Sequence, residues 1–107
     1  MPKKKFSLDP EPTFKTKVGI PVHGVGVADI EFTFKHRTQA AFTELFNGIG
    51  ENNPNGVDIV MDIAAGWDLD WDFNRDNVER MLSNYMGSLR AIIEKYSAEM
   101  MGIREGN

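Results

Sequence analysis

Cysteine is absent from the 107 residues. That excludes disulfides, thiolate zinc sites, iron–sulfur clusters and cysteine nucleophiles together, and it fits a reducing cytoplasm. Long apolar runs are absent as well. None approaches the ~18–20 residues of a membrane span, so no membrane partner is expected. Lys3-Lys4-Lys5 has no apolar stretch behind it, so the start does not read as a secretory signal. An excess of positive charge is also missing. The net charge is −4, whereas a domain that grips phosphates shows a basic patch or stripe. Nucleic acid is therefore not an expected partner. The lysine run is the local exception and reads as a solvated start.

What is present suffices for one domain. A chain of this size buries roughly two thirds of its unfolded surface and can fold without a metal or a crosslink. Residues 1–12, with Pro2, Pro10 and Pro12, read as a flexible tail. Residues 13–18 alternate, with Phe14, Thr16 and Val18 on one side and Lys15 and Lys17 on the other, as a half-buried strand does. The glycine-rich run 19–27 reads as a hairpin connection or an irregular edge. Residues 28–35 alternate strictly, with Ala28, Ile30, Phe32 and Phe34 on one face. The two strands form an antiparallel hairpin, with part of 20–27 as a candidate third strand.

Helical spacing follows. Thr38 suits an N-cap, and Phe42, Leu45, Phe46 and Ile49 share a stripe. Gly48 and Gly50 should fray that helix before the loop 51–56. A short helix is expected over 57–65, with Gly66 as its C′ residue. Asn74 reads as the cap of a third helix, with Asp76 in its first turn and Val78, Met81, Leu82 and Tyr85 inward. Gly87 breaks it. A fourth helix over 88–101 carries Leu89, Ile92, Ile93, Tyr96 and Met100, with Arg90–Glu94 and Lys95–Glu99 as surface pairs. Residues 102–107 read as a flexible tail.

Few constellations could carry chemistry. Asp68, Asp70, Asp72, Asn74, Asp76 and Glu79 fall at the oxygen-ligand positions of a calcium loop. The position that needs glycine is Phe73, and Asn74 already reads as a helix cap. An acidic loop leading into a helix is the better reading. His23 and His36 could face each other across the hairpin, but no third ligand accompanies them. Gly24-Val25-Gly26 leads into a strand, whereas a phosphate cradle needs a helix N-terminus. Ser7, Ser83, Ser88 and Ser97 lack an elbow motif. No catalytic residue, cofactor site or metal site is assigned, and no enzymatic activity is expected.

Binding residues are easier to nominate. Trp67 reads as core, packed between helices. Trp71 and Phe73 sit in the acidic loop, and aromatic rings near a surface are enriched at interfaces. Met86, Met100 and Met101 add adaptable apolar side chains. These five, Trp71, Phe73, Met86, Met100 and Met101, are the candidate partner-binding residues.

The chain carries, in order, Phe34-Lys35-His36-Arg37-Thr38, a helix with Phe42, and an apolar segment closing on Trp67-Asp68-Leu69. Then come Phe73-Asn74, Asn77-Val78, Leu82-Ser83-Asn84-Tyr85, Ala91-Ile92-Ile93 and Tyr96. Over residues 13–101 this pattern resembles the phage tail assembly chaperones of long-tailed phages and prophages. One departure is Met86, where the family pattern has a proline. It implies a less sharp start to helix four, or helices three and four that run nearly continuous.

The resemblance implies a non-enzymatic protein in the cytoplasm of the bacterial host. It would bind the helical, aggregation-prone tape measure protein and keep it soluble until tail tube subunits polymerise around it. Such chaperones often self-associate, so a homo-oligomer is a further expected state, and many have a longer frameshifted form. The expected fold is α+β, an N-terminal antiparallel hairpin or three-stranded sheet followed by about four packed helices in a single domain, 13–101. The alternatives are a minor tail component retained in the virion and a small acidic metal-binding or regulatory module.

Overall fold

The computed structural model describes residues 7–102. The Lys3-Lys4-Lys5 run and most of the expected C-terminal tail lie outside them. Residues 7–12 are exposed and belong to no helix or strand.

The fold is α+β: three antiparallel strands in the order β1-β2-β3, with four helices. Strands β1 (Thr13–Val22) and β2 (Gly26–Lys35) form the hairpin. Their register pairs Phe14 with Phe34, Thr16 with Phe32, Val18 with Ile30 and Ile20 with Ala28. The period of two puts all of these on one face. Lys15, Lys17, Asp29, Glu31 and Thr33 take the other, wet face.

Both strands outrun the expected boundaries, because Gly19–Val22 extends β1 and is not a connection. Pro21 is tolerated there because β1 is an edge strand, where a missing N–H breaks no ladder. Gly19 makes room for Val27, whose Cγ1 would lie 2.6 Å from an added Cβ. The turn itself is His23-Gly24-Val25. The Val25 N–H donates to the Val22 carbonyl at 3.0 Å, and Gly24 takes the positive φ of 79° that the third turn position requires. This register also corrects the expectation for the histidines. His23 is in the turn and His36 follows the last residue of β2, so they sit at opposite ends of the hairpin, about 30 Å apart by strand rise.

The third strand does not come from 20–27. It is β3 (Ala64–Trp67), which pairs with β2 through Phe32–Trp67, Thr33–Gly66 and Phe34–Ala64. The helix expected over 57–65 is α2 (Gly56–Ile63), and it passes straight into the strand. Ala64 is its cap, in an extended conformation, so Gly66 is a strand residue and not a helix terminator. The physical reason is the second edge of β2, whose backbone groups need partners. Pairing continues one step past β3. The Asp68 N–H donates to the Glu31 carbonyl at 3.0 Å, and the Glu31 N–H donates to the Asp68 carboxylate at 3.0 Å.

The other helices are α1 (Gln39–Asn52), α3 (Arg75–Asn84) and α4 (Ser88–Met101). Thr38 caps α1, accepting from the Ala41 N–H at 3.2 Å. Gly48 and Gly50 do not fray it. The helix runs to Asn52 and ends at Asn53, in the left-handed region with φ 47°. Asn74 caps α3, accepting from the Asn77 N–H at 2.9 Å. Helices α3 and α4 are not continuous despite Met86. Tyr85 is extended and Gly87 restarts the chain, lying against Pro21, whose Cγ would be 3.1 Å from an added Cβ. Both expected surface pairs of α4 form, Arg90–Glu94 at 2.8 Å and Lys95–Glu99 at 3.5 Å.

The core lies between the apolar sheet face and α2, α3 and α4. Val18, Ile20, Phe32 and Phe34 meet Val60, Ile63, Val78, Ile92 and Tyr96. Helix α1 contributes no fully buried residue; Phe42, Leu45, Phe46 and Ile49 are all half-buried. Tyr96 is the centre. Its ring packs on Phe14, Phe34 and Phe42, with centroids 6.3, 5.3 and 6.2 Å away. Its hydroxyl donates to the Lys35 carbonyl at 2.9 Å and accepts from Arg37 at 3.2 Å. Arg37 also forms a 2.9 Å ion pair with Asp62. Burial opposes the charge on Arg37, but the hydrogen bond to Tyr96 and the Asp62 carboxylate outweigh it and hold the pKa above the ordinary arginine value.

Replacing Tyr96 with phenylalanine keeps the ring and strands the Lys35 carbonyl and an Arg37 N–H. It is expected to lower stability by about 1–3 kcal/mol in urea titrations. A loss below ~0.5 kcal/mol would show that the hydroxyl network does not hold the fold.

Candidate partner-binding groove

The loop from β3 to α3 is acidic and aromatic by turns, and its backbone is held by its own side chains. The Trp67 indole N–H donates to the Trp71 carbonyl at 2.7 Å. The Asn77 amide donates to the Asp72 carbonyl at 2.8 Å while its backbone N–H serves the Asn74 cap. Phe73 sits edge-on to Trp67, centroids 5.1 Å apart, and Trp67 sits edge-on to Phe32 at 5.9 Å. Trp67 thus packs on the sheet and the loop, not between helices as expected. Its ring fixes where the loop turns back.

This folding leaves a groove of about 270 Å³ between the loop, the turn end of the hairpin and α3. Ile20, Val22, Ala28 and Ile30 form one wall. Trp67, Leu69 and Trp71 form the lip. Asn77, Arg80, Met81, Asn84 and Tyr85 of α3 and its end form the other wall. Trp71 is 57% exposed and Tyr85 41% exposed, so two aromatic rings stand open at one apolar groove. A second cleft, between α1 and α2, is larger at about 340 Å³, but no aromatic ring lines it and Glu44, Asp58 and Asp62 do.

The five nominated residues are divided by the structure. Trp71 lines the groove and Phe73 supports the loop beneath it, half-buried. Met86, 93% exposed, follows Tyr85 directly. Met100 is half-buried against the core, and Met101 is exposed beside it. These two close α4, about 20 Å of helix rise from Met86. Tyr85, Leu69 and Arg80 were not nominated. Tyr85 continues the helical stripe of α3, which reads as core. Only its place just before the Met86-Gly87 break signals that the helix ends there and the ring turns outward.

Two of the residues at calcium-loop spacing have other work. Asp68 accepts from the Glu31 backbone and Asn74 caps α3. Among the described residues, no three His, Asp or Glu side chains group so as to hold an ion. Also among them, no helix is long and apolar enough to cross a membrane.

A family model described as phage tail assembly chaperone matches residues 1–107. The chain belongs to the phage tail assembly chaperone family. Comparison with curated proteins and with solved structures gave no match. In this tail assembly chaperone the residues that carry the resemblance have physical roles. Phe34 is core, the Lys35 carbonyl and Arg37 meet Tyr96, and Thr38 caps α1. Trp67-Asp68-Leu69 closes the sheet and opens the groove lip.

Removing the Trp71 ring from this chaperone is expected to change stability by less than ~0.5 kcal/mol in urea titration, as for a surface residue. Trp67→Phe, which removes the indole N–H, is expected to cost about 1 kcal/mol and to speed amide exchange across 68–73. A destabilisation above ~2 kcal/mol for Trp71→Ala would place that ring in the core instead.

Proposed function

We propose that this chaperone binds the tape measure protein in the cytoplasm of the bacterial host and keeps it soluble until the tail tube assembles around it. Family membership supports a role in tail assembly and leaves the partner to be named. The observation that carries the partner reading is the exposed Trp71 ring on a fixed loop, at the lip of an apolar groove. An aggregation-prone helical protein offers apolar ridges, and a groove of this kind takes such a ridge. The chaperone's own net charge of −4 helps to keep the complex dissolved. Trp71 and Met86 belong to this contact, with Phe73 as support. Met100 and Met101 form a separate apolar patch at the far end of α4. The protein acts by binding and carries out no covalent step.

Co-expression with the tape measure protein of the same phage or prophage is the direct test. A tape measure protein that is insoluble alone should become soluble and co-purify with this chaperone, and finished virions should lack the chaperone. An insoluble partner with nothing retained, together with the chaperone in purified virions, would assign it to the particle as a tail component.

A further inference from the structure

The two sides of the groove differ in charge, and the difference says what fits it. On the lip, Trp67, Leu69 and Trp71 line the groove, while Asp68, Asp70 and Asp72 alternate with them and stand exposed. No lysine or arginine lies between Trp67 and Asn74. The next cation, Arg75, is held by Asp58 in a 2.6 Å ion pair. The opposite wall carries Arg80, steadied by a 3.3 Å hydrogen bond to Asn77. The groove therefore has a negative lip, an apolar floor and a positive point on the far wall.

Resting on the tape measure reading above, we propose that this groove is the docking site and that its occupant is an amphipathic helical segment of that partner. The segment lays an apolar ridge on the floor. It carries lysine or arginine on the side that meets Asp70 and Asp72, and a carboxylate on the side that meets Arg80.

Size supports a ridge and not a folded surface. A groove of about 270 Å³ is at the small end of ligand pockets, about 300 Å³ and upward, and it holds the few side chains that one helix face presents at i, i+3 or i+4, and i+7. Charge supports the flanks. Exposed carboxylates beside one lip attract a basic segment and disfavour an acidic one, and the opposite sign at Arg80 sets which way round the segment lies. A second copy is the rival occupant, since a two-fold contact can set Asp70 and Asp72 of one copy against Arg80 of the other, and the sedimentation of the chaperone alone separates the two. The lip backbone is already ordered by the Trp67–Trp71 hydrogen bond, so binding orders less chain, and an exposed tryptophan and tyrosine are the residue types that dominate such contacts.

The experiment uses the full chaperone and overlapping peptides that tile the tape measure protein, read by fluorescence anisotropy at low and at physiological salt. The tightest peptides should be amphipathic and basic on one flank. Trp71→Ala and Tyr85→Ala, with circular dichroism unchanged, should each weaken binding about tenfold or more. Asp70→Asn with Asp72→Asn should weaken it at low salt and flatten its salt dependence. Asp70→Lys with Asp72→Lys should recover binding to a peptide whose flanking lysines are changed to glutamate.

Wild-type affinity in both aromatic variants overturns the groove, even where the intact tape measure protein still co-purifies and the chaperone reading stands. An unchanged salt dependence in the neutralised variant, with no recovery in the charge swap, overturns the basic flank. A Trp71→Ala variant that alters only the sedimentation of the chaperone alone makes the groove a contact between copies and overturns the proposal. Failure of wild type to retain either the peptides or the intact tape measure protein removes the chaperone reading first.

Discussion

The structure depends on Tyr96. The β1–β2 hairpin alone would be marginal in water, and Tyr96 is where the covering helix, the hairpin and the exit of β2 are joined. Its ring closes over Phe14 and Phe34, and its hydroxyl satisfies the Lys35 carbonyl just where the ladder stops. Arg37 extends that join to the C-terminal turn of α2 through Asp62. Burying a phenol and a guanidinium is unfavourable unless each polar atom finds a partner. Here they partner each other, the backbone and a carboxylate, and no buried side-chain nitrogen or oxygen among the described residues lacks a partner. The position of α2 then dictates where β3 begins, because no loop separates them.

That chain of constraint reaches the groove. β3 must follow α2 and pair with β2, so Trp67 arrives opposite Phe32. The Trp67 ring lies edge-on to Phe32 and to Phe73, and its N–H holds the Trp71 carbonyl. Trp71 is thereby presented to solvent by a backbone that the sheet has positioned. The ring is exposed and the loop beneath it is ordered, which is the combination a recognition surface uses. Removing the indole N–H of Trp67 therefore disturbs the lip without touching the groove wall.

The sequence carried much of the fold, but only where local rules decide. Alternation over 28–35 identified β2, and Thr38 and Asn74 marked the starts of α1 and α3 because a side-chain oxygen must serve the first free N–H groups. The bounds of α4 followed from Gly87 and the stripe through Ile92 and Tyr96. β3 was not legible. Ala64-Ala65-Gly66-Trp67 is too short to alternate, and it skips Ala65 against β2 in a bulge. Its strand state comes from the free edge of β2, a contact thirty or more residues away in sequence. Gly19 and Pro21 misled for the converse reason, since local propensity disfavours strand where an edge position permits it. The sequence put Trp71 and Phe73 together in an acidic loop without deciding between them, because only the Trp67 contact turns Phe73 inward and leaves Trp71 outside. Tyr85 was not legible as exposed, because helical spacing assigns it to the core until the helix is known to end there.

On the proposed reading the groove's modest size suits an assembly factor that leaves. A few side chains in about 270 Å³, set against the entropy lost on association, give limited affinity per copy. On the proposed reading the partner is long, and many copies along it would supply shielding that no single contact provides. Each contact would then stay weak enough to be displaced when tube subunits compete for the same ridge. The acidic lip works in the same direction. Bound copies carry a net charge of −4 each, so a coated partner repels other coated partners in solution, and crowding of copies along one partner makes each easier to remove. Solubility and release would then follow from one distribution of charge.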